Sequence, residues 1–271
     1  MSTAKSYGVS KVCRVLNISR STFYYHKKHL KPKKTFPYEN LILSVFHKNL
    51  STYGRRRIQR SLEKQGKHVS QYIIAKVLKK HDLEAKHGRK KYAHNIYTSD
   101  AIVETNPKNL IKDAPPTAKI YAADMSEFRC KDGKLIVSGI IDQKTRVIVG
   151  YCIGTDYKAD IVRKMFEQAF TTYGVPDFVH TDNGSQFRGR QVHDYIVESG
   201  AKHSFSKPRS PWHNQYIESF WKTMKVEIGR IDNMSIKDLK IVIEYYIYYY
   251  NNKRLHSSIG YKTPMQMVNT L

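Results

Sequence analysis

From residue 119 the hydrophobic pattern of this chain shifts to short strand-like runs. The order in which those runs alternate with helical segments limits what the chain can fold into. Residues 120–128, 135–141 and 146–153 read as three consecutive strands, with Asp132-Gly133 in the loop between the first two. A helix over 160–173, a short buried strand at 177–179, a helix over 191–199, a strand at 202–205 and a long helix over 212–228 follow. A βββαβαβ order predicts an α/β fold, a mixed sheet covered by helices on both faces.

Within that order the stretch His180-Thr181-Asp182-Asn183-Gly184-Ser185-Gln186-Phe187 places a carboxylate at the end of a strand, with a glycine two residues on. Asp-Asn-Gly alone is ordinary turn chemistry. Its position between two other carboxylates, Asp124 on the first strand and Glu218 on the long helix, gives it a second meaning. On that helix Ile217, Phe220, Trp221, Met224 and Ile228 form the apolar stripe. Asn214, Glu218, Lys222 and Lys225 recur at i, i+4, i+8 and i+11 on another face. A lone exposed Glu is normally just solvated. Three carboxylates on two strands and one helix are what two Mg²⁺ ions require, with Mn²⁺ as a substitute, because these hard cations take oxygen ligands and keep positions open for phosphate. Carboxylates brought so close raise at least one pKa among them. Asp142 ends the second strand, where it either supports this site or caps the turn before Lys144-Thr145.

The charge is strongly positive and uneven. The 271 residues carry a net charge of +24, and residues 1–100 hold 23 Lys/Arg against 5 Asp/Glu, while the remaining 171 hold 24 against 18. The first hundred residues are therefore the expected electrostatic footprint on nucleic acid. Cys13, Cys130 and Cys152 are odd in number, far apart and without a Cys-x-x-Cys pair, which argues against a disulfide framework or zinc site and fits a reducing cytoplasm. No apolar run approaches the ~18 residues a membrane span needs.

Residues 1–30 are expected to form a helix-turn-helix. Val12, Val15 and Leu16 suit a first short helix, Asn17 breaks it, and Ser19 caps a second helix whose Arg20, Ser21 and Tyr24 would face DNA. An ordinary helical hairpin has the same pattern. After a Lys/Pro linker, residues 38–91 read as a second basic module with helices over 39–49, 55–65 (closed by Gly66) and 71–80 (capped by Ser70). Its cluster Arg55-Arg56-Arg57 is suited to phosphates rather than bases, and 86–91 reads as a flexible arm. Residues 92–118, with Pro107, Pro115 and Pro116, form the linker to a core over 119–230. In the final segment, 231–271, a tyrosine-rich helix over 236–250 is expected to pack on that core through Leu239, Val242, Ile243, Tyr246 and Tyr250, with stacking of its tyrosines on bases as the alternative.

Three motifs now stand in order: Tyr121-Ala122-Ala123-Asp124-Met125-Ser126, His180-Thr181-Asp182-Asn183-Gly184, and Asn214-Gln215-Tyr216-Ile217-Glu218-Ser219-Phe220. They resemble the Asp-Asp-Glu motif of integrase-like transposases, and the 35 residues between Asp182 and Glu218 match the spacing typical of that superfamily. The chain is similar over nearly its whole length to the second-reading-frame product of bacterial insertion-sequence transposases. Ser19–Tyr25, Tyr53-Gly54-Arg55-Arg56-Arg57-Ile58, Asn109-Leu110-Ile111, the run from Tyr250 to Ser258 and Thr263-Pro264 carry that similarity. The resemblance implies a ribonuclease-H-like catalytic core behind all-α DNA-binding modules. It implies Asp124, Asp182 and Glu218 as catalytic metal ligands and Lys225 as a contact to DNA near the cut end. It also implies terminal inverted repeats and target DNA as substrates, a homo-oligomer on synapsed ends, and an upstream-frame partner or fusion carrying a further helix-turn-helix and a leucine zipper. Tyr121 stands where the family usually has Trp, Ser126 replaces a common Thr, and His213 stands where an Asp often precedes Asn214. A non-catalytic DNA-binding regulator and a ribonuclease-H-type nuclease are the rival readings.

Overall fold

The computed structural model describes residues 8–28, 35–86, 109–156, 159–182, 184–206 and 214–270, and divides into two compact units, 1–41 and 42–271. The expected linker over 92–108, the arm beyond Lys86, Asn183, Trp212 and His213 lie outside the described residues.

In the first unit, α1 (Val9–Val15) and α2 (Arg20–Lys28) are separated by a turn in which Asn17 takes φ 51°. Asn is among the few residues that reach this region at small cost. Ser19 Oγ accepts a 3.0 Å hydrogen bond from the Thr22 amide and so caps α2. The apolar residues of α1 are not its buried face. Cys13 is its buried residue, while Val15 is 78% exposed and Leu16 is exposed too, because a seven-residue helix here covers only a narrow strip.

The second unit begins within α3 (Glu39–Lys48), continues through α4 (Arg55–Glu63) and α5 (Gln71–Lys80), and then enters the sheet. Ile42, Val45, Phe46, Ile58, Leu62, Ile74 and Val77 close the core of the three helices. The Ser70 hydroxyl accepts from the Ile73 amide at 3.3 Å, and Gly66 takes φ 70° after α4. Lys86 is not free: its amide donates to Ser51 O at 2.9 Å and its ammonium to Glu227 O at 3.2 Å.

The sheet comprises β1 (Ile120–Cys130), β2 (Gly133–Asp142), β3 (Ile148–Gly154), β4 (Phe178–Thr181) and β5 (Lys202–Phe205) in the order β3-β2-β1-β4-β5. The first three form an antiparallel meander, and β4 and β5 add parallel to β1 through helical crossovers. This is the mixed sheet that the βββαβαβ order predicts, with the ribonuclease-H-like arrangement. Alternation along β1 divides the core. Tyr121 and Ala123 face α6 (Ala159–Tyr173) and α8 (Arg190–Glu198), with Phe166, Phe170, Val192 and Ile196. Ala122 and Phe128 face α9 (Gln215–Ile228) and α10 (Ile236–Asn252), with Phe220, Trp221, Ile243 and Tyr246. Each large side chain so buried contributes about 1.5–3 kcal/mol. A one-turn helix, α7 (Ser185–Arg188), follows β4 where the sequence suggested only a turn, and α11 (Pro264–Val268) ends the chain behind a Thr263 capping box.

The tyrosine-rich helix α10 packs on the sheet as expected, burying Leu239, Ile243, Tyr246, Ile247, Tyr249 and Tyr250 and leaving Tyr245 and Tyr248 exposed. Its Asn251 does what a neighbouring strand would: Oδ1 accepts from Ile148 N and Nδ2 donates to Ile148 O, both at 3.0 Å, which satisfies the edge strand β3.

Candidate active site

β1 and β4 run parallel with Ala122 opposite His180 and Ala123 opposite Thr181. One further step of that register brings Asp124 alongside Asp182. Asp124 lies inside its strand, as the 120–128 reading has it, and β1 continues to Cys130. The rim arises because β4 stops at Thr181, leaving Asp124 where the sheet loses a neighbour on one side. By strand alternation Asp124 shares its face with Ala122 and Phe128, the face covered by α9, and α9 carries Glu218 on an exposed position.

The electrostatics agree with this geometry. Burial, less two hydrogen-bonding influences from the Met125 amide and the Trp221 indole, pushes the Asp124 carboxyl up to about 7, and the charges of Asp182 and Glu218 add to the shift. The Trp221 Nε1–H is buried without a hydrogen bond of ordinary length, yet lies near enough to Asp124 to favour its ionised form. Burial also raises Glu218. Asp182 is oriented by its own turn, since the Gly184 amide donates to its Oδ1 at 2.9 Å. A Cβ at Gly184 would run into Gln186 and come within 2.9 Å of that same oxygen. Among the described residues no three acidic, His or Cys side chains close into a metal-sized cluster as they stand. Glu218 is exposed and makes no hydrogen bond or ion pair there, and its charge is felt at Asp124. Three hard oxygen donors with one desolvated against the others suit a divalent cation, which would offset their repulsion.

Support for the site comes from Gly139 and His203, which the sequence did not single out, and from the motif's own His180 and Thr181. Gly139 is the β2 partner of Asp124, and a Cβ there would approach Trp221 Cη2 at 3.0 Å and Cζ2 at 3.1 Å. The missing side chain lets the indole, and with it α9, sit against β2 beside the carboxylate. Gly139→Ala should therefore displace Trp221 and cost about 1–3 kcal/mol as overpacking, read as a lowered thermal midpoint. Beneath Asp182, His180 bridges Ser204 and Ser206 at 2.9 Å each, and Thr181 Oγ1 reaches His203 Nε2 at 3.1 Å and donates to Asp182 O at 2.9 Å. Burial first, then His193 and His180, hold His203 down to about 3, so it acts as a neutral hydrogen-bonding strut.

The remaining expected residues divide. Lys222 and Lys225 are exposed on α9, with the Lys225 ammonium 5.0 Å from the Phe128 ring centroid. Arg20 and Tyr24 are exposed on α2, as are Arg55 and Arg56 on α4. Asn214, expected on the polar face with Glu218, Lys222 and Lys225 and as a contact to DNA, is instead 4% exposed and donates to Ala123 O at 3.1 Å, so its amide ties the start of α9 to β1 next to Asp124. Arg57 is half-buried, 5.7 Å from the Tyr53 ring centroid and 4.0 Å from Glu227, whereas Arg55 and Arg56 are exposed. Asp142 caps its turn, its Oδ1 accepting from the amides of Lys144 at 2.8 Å and Thr145 at 3.4 Å.

Comparison with known proteins gives a consistent set of matches. An integrase core domain family matches residues 117–211, a second integrase core domain family residues 199–264, and an HTH-like domain family residues 38–91. The InsK protein for insertion sequence element IS150 of Escherichia coli (strain K12) is 30% identical over 269 residues, covering 97% of this chain and 94% of that protein. The transposase for insertion sequence element IS904 of Lactococcus lactis is 31% identical over 227 residues, covering 82% of this chain and 90% of the relative. Among solved structures, the catalytic core domain of HTLV-2 integrase in complex with magnesium matches at 18% identity and a TM-score of 0.44, over 54% of this chain and 93% of that one. Among the described residues no helix is long and apolar enough to cross a membrane.

Proposed function

The chain belongs to the integrase-core family of insertion-sequence transposases, polynucleotidyl transferases that act on DNA, and from that premise we propose that Asp124, Asp182 and Glu218 are its catalytic carboxylates. The observation that supports the proposal is the parallel register of β1 and β4, in which Ala123 lies opposite Thr181, one residue before each aspartate. The three would hold divalent cations, Mg²⁺ with Mn²⁺ as a substitute, whose chemistry is to make an oxygen nucleophile more acidic and stabilise a leaving oxygen.

The chain's own contribution is placement. Gly184 fixes the Asp182 carboxylate, and Asn214 and Gly139 fix α9 against β1 and β2. Water attacks a phosphodiester at the element end in the first step, releasing a 3′-hydroxyl. In the second that hydroxyl attacks a target phosphodiester, forming a new P–O bond as the target's own P–O3′ bond breaks and its 3′-oxygen leaves as a hydroxyl, and each step is an in-line displacement that depends on positioning. Lys222 and Lys225, on the helix that carries Glu218, contact backbone phosphates near the cut, while Arg55 and Arg56 on α4 and Arg20 and Tyr24 on α2 supply contacts further along the DNA. Synapsis of two ends calls for a homo-oligomer. The upstream-frame helix-turn-helix and leucine-zipper product, or a fusion with it, is the expected partner for end recognition.

The test is nicking of labelled duplexes that carry the inverted repeats flanking the gene. Cleavage at the repeat tip is expected with Mg²⁺ or Mn²⁺, with none in EDTA and binding intact in EDTA. Binding without cleavage under every metal condition, with the upstream-frame product present, would leave a non-catalytic regulator of the ends in place of the enzyme.

A further inference from the structure

A cavity of about 380 Å³ lies between α9, α4, the β2–β3 turn and the C-terminal segment, and it is basic. Arg57, Arg146 and Arg254 line it, with the hydroxyls of Ser219, Thr223 and Ser258 and, among the described residues, no carboxylate. The three guanidinium groups are not equally committed. Arg254 is held by Glu227 at 2.6 Å, and Arg57 stands 4.0 Å from the same carboxylate. Among the described residues Arg146 has no acidic partner. It stacks with its Cζ 3.7 Å from the Tyr216 ring centroid, and its Nη1 is buried without a hydrogen bond.

A buried N–H left unmatched is costly, and a cationic one more so. The fork of a guanidinium is shaped to donate to phosphate oxygens. The concentration of charge also registers on a neighbour: burial first, then Arg254, Arg57 and Arg146, drive the His256 imidazole down to about 2. The Arg146 backbone is set in place rather than loose, with φ 67° and its amide donating to Asp142 O at 2.9 Å. Ser219, which lines the cavity, follows Glu218 directly on α9.

We propose that this cavity binds a backbone phosphate of DNA, with Arg146 and Arg57 as the donors and the α9 hydroxyls completing the cradle. The choice of DNA as the source of the phosphate rests on the transposase reading. The strand seated here would run along α9 toward Glu218, so the cavity would fix the register of DNA relative to the proposed carboxylates.

The test uses the full chain, duplex DNA carrying the terminal repeat, and EDTA, so that binding is read without cleavage. Arg146→Gln is expected to weaken binding about 5–10-fold at low salt and to lower the slope of log affinity against log salt by about 1. Lys164→Gln removes the same charge from an exposed position on α6, across the sheet, and should cost less than about 2-fold. Ser258→Asp places a carboxylate at the exposed rim without disturbing packing and should act in the same direction as Arg146→Gln. In a scan of neutral methylphosphonates, one position should cost wild type what Arg146→Gln costs, and cost the variant nothing more. Equal effects of Arg146→Gln and Lys164→Gln, or no methylphosphonate position that couples to Arg146, would overturn the proposal. So would inorganic phosphate raising the melting temperature of wild type but not of Arg146→Gln while DNA affinity stayed the same in both, since that describes a free-anion site. Coupling retained in a chain that never nicks would instead remove the enzymatic reading and leave the phosphate cavity standing.

Discussion

Asp124→Asn is expected to abolish metal-dependent strand cleavage, to leave DNA binding in EDTA unchanged, and to raise the melting temperature of the metal-free protein at pH 8. The loss of cleavage should exceed about 10²-fold, because removing even an outer partner of a metal ligand typically costs 10–100-fold. The gain in stability follows from the same carboxylate. Burial and two neighbouring acids lift Asp124 to about 7, above the ordinary value near ~3.9. The folded state thus favours the neutral form. Stability from this group is complete below about pH 4 and is lost as pH rises through about 7. At pH 8 the ionised, part-buried carboxylate opposes folding by an amount on the order of 1–3 kcal/mol after solvent screening. Asparagine keeps the shape and removes the charge. A divalent ion should bring the opposite change in wild type alone, raising its melting temperature but not that of the variant, and its binding should strengthen as pH rises through 7. Unchanged cleavage by Asp124→Asn would remove Asp124 from the catalytic set. A melting temperature that falls at pH 8 would mean the carboxylate is needed for packing.

The elements of this fold were legible in the sequence because each is locally consistent. The three meander strands, the helices over α6 and α8, β5 and the tyrosine-rich α10 all show at their own period, and the caps at Ser19, Ser70 and Gly66 are turn chemistry that acts within four residues. What could not be read was long-range. The strand pattern implied a mixed sheet but not that β4 pairs with β1 in the register that aligns Asp182 with Asp124. Gly139 carried no signal because its role is the space it leaves for Trp221, a residue 82 positions away. Asn214 shares its helical spacing with Lys222 and Lys225 and so reads as exposed, whereas the structure buries it against Ala123 O, a contact 91 positions away. In α1 the apolar positions Val12, Val15 and Leu16 mark the helix, yet it is too short to cover Val15 and Leu16.

Glu227 shows the same limit most strongly and leads to the second large effect. The apolar stripe of α9 runs through Ile228, and nothing in the sequence marks its neighbour Glu227 as buried. Glu227 is 4% exposed. It accepts from Arg254 Nε at 2.9 Å and Nη2 at 2.6 Å and from the Tyr246 hydroxyl at 2.9 Å, with Arg57 4.0 Å away. Around this carboxylate the helical module meets the core and the C-terminal segment, where Tyr53 donates to Lys253 O at 3.2 Å and accepts from the Leu255 amide at 2.7 Å. Glu227→Gln should cost about 3–5 kcal/mol, because it leaves Arg254 charged, buried and next to Arg57 with nothing to balance either. In a unit of this size that corresponds to a fall of roughly 10–15 °C in the melting temperature. The penalty belongs to the stranded charge rather than to the lost bond, so it should shrink when the charge is removed as well. Glu227→Gln combined with Arg254→Leu should therefore lose less than Glu227→Gln alone, a coupling that a double-mutant cycle reads directly. A single-variant loss below about 1 kcal/mol would show that water reaches Arg254 and that the joint is held by its tyrosines. Strictly additive losses would lead to the same conclusion.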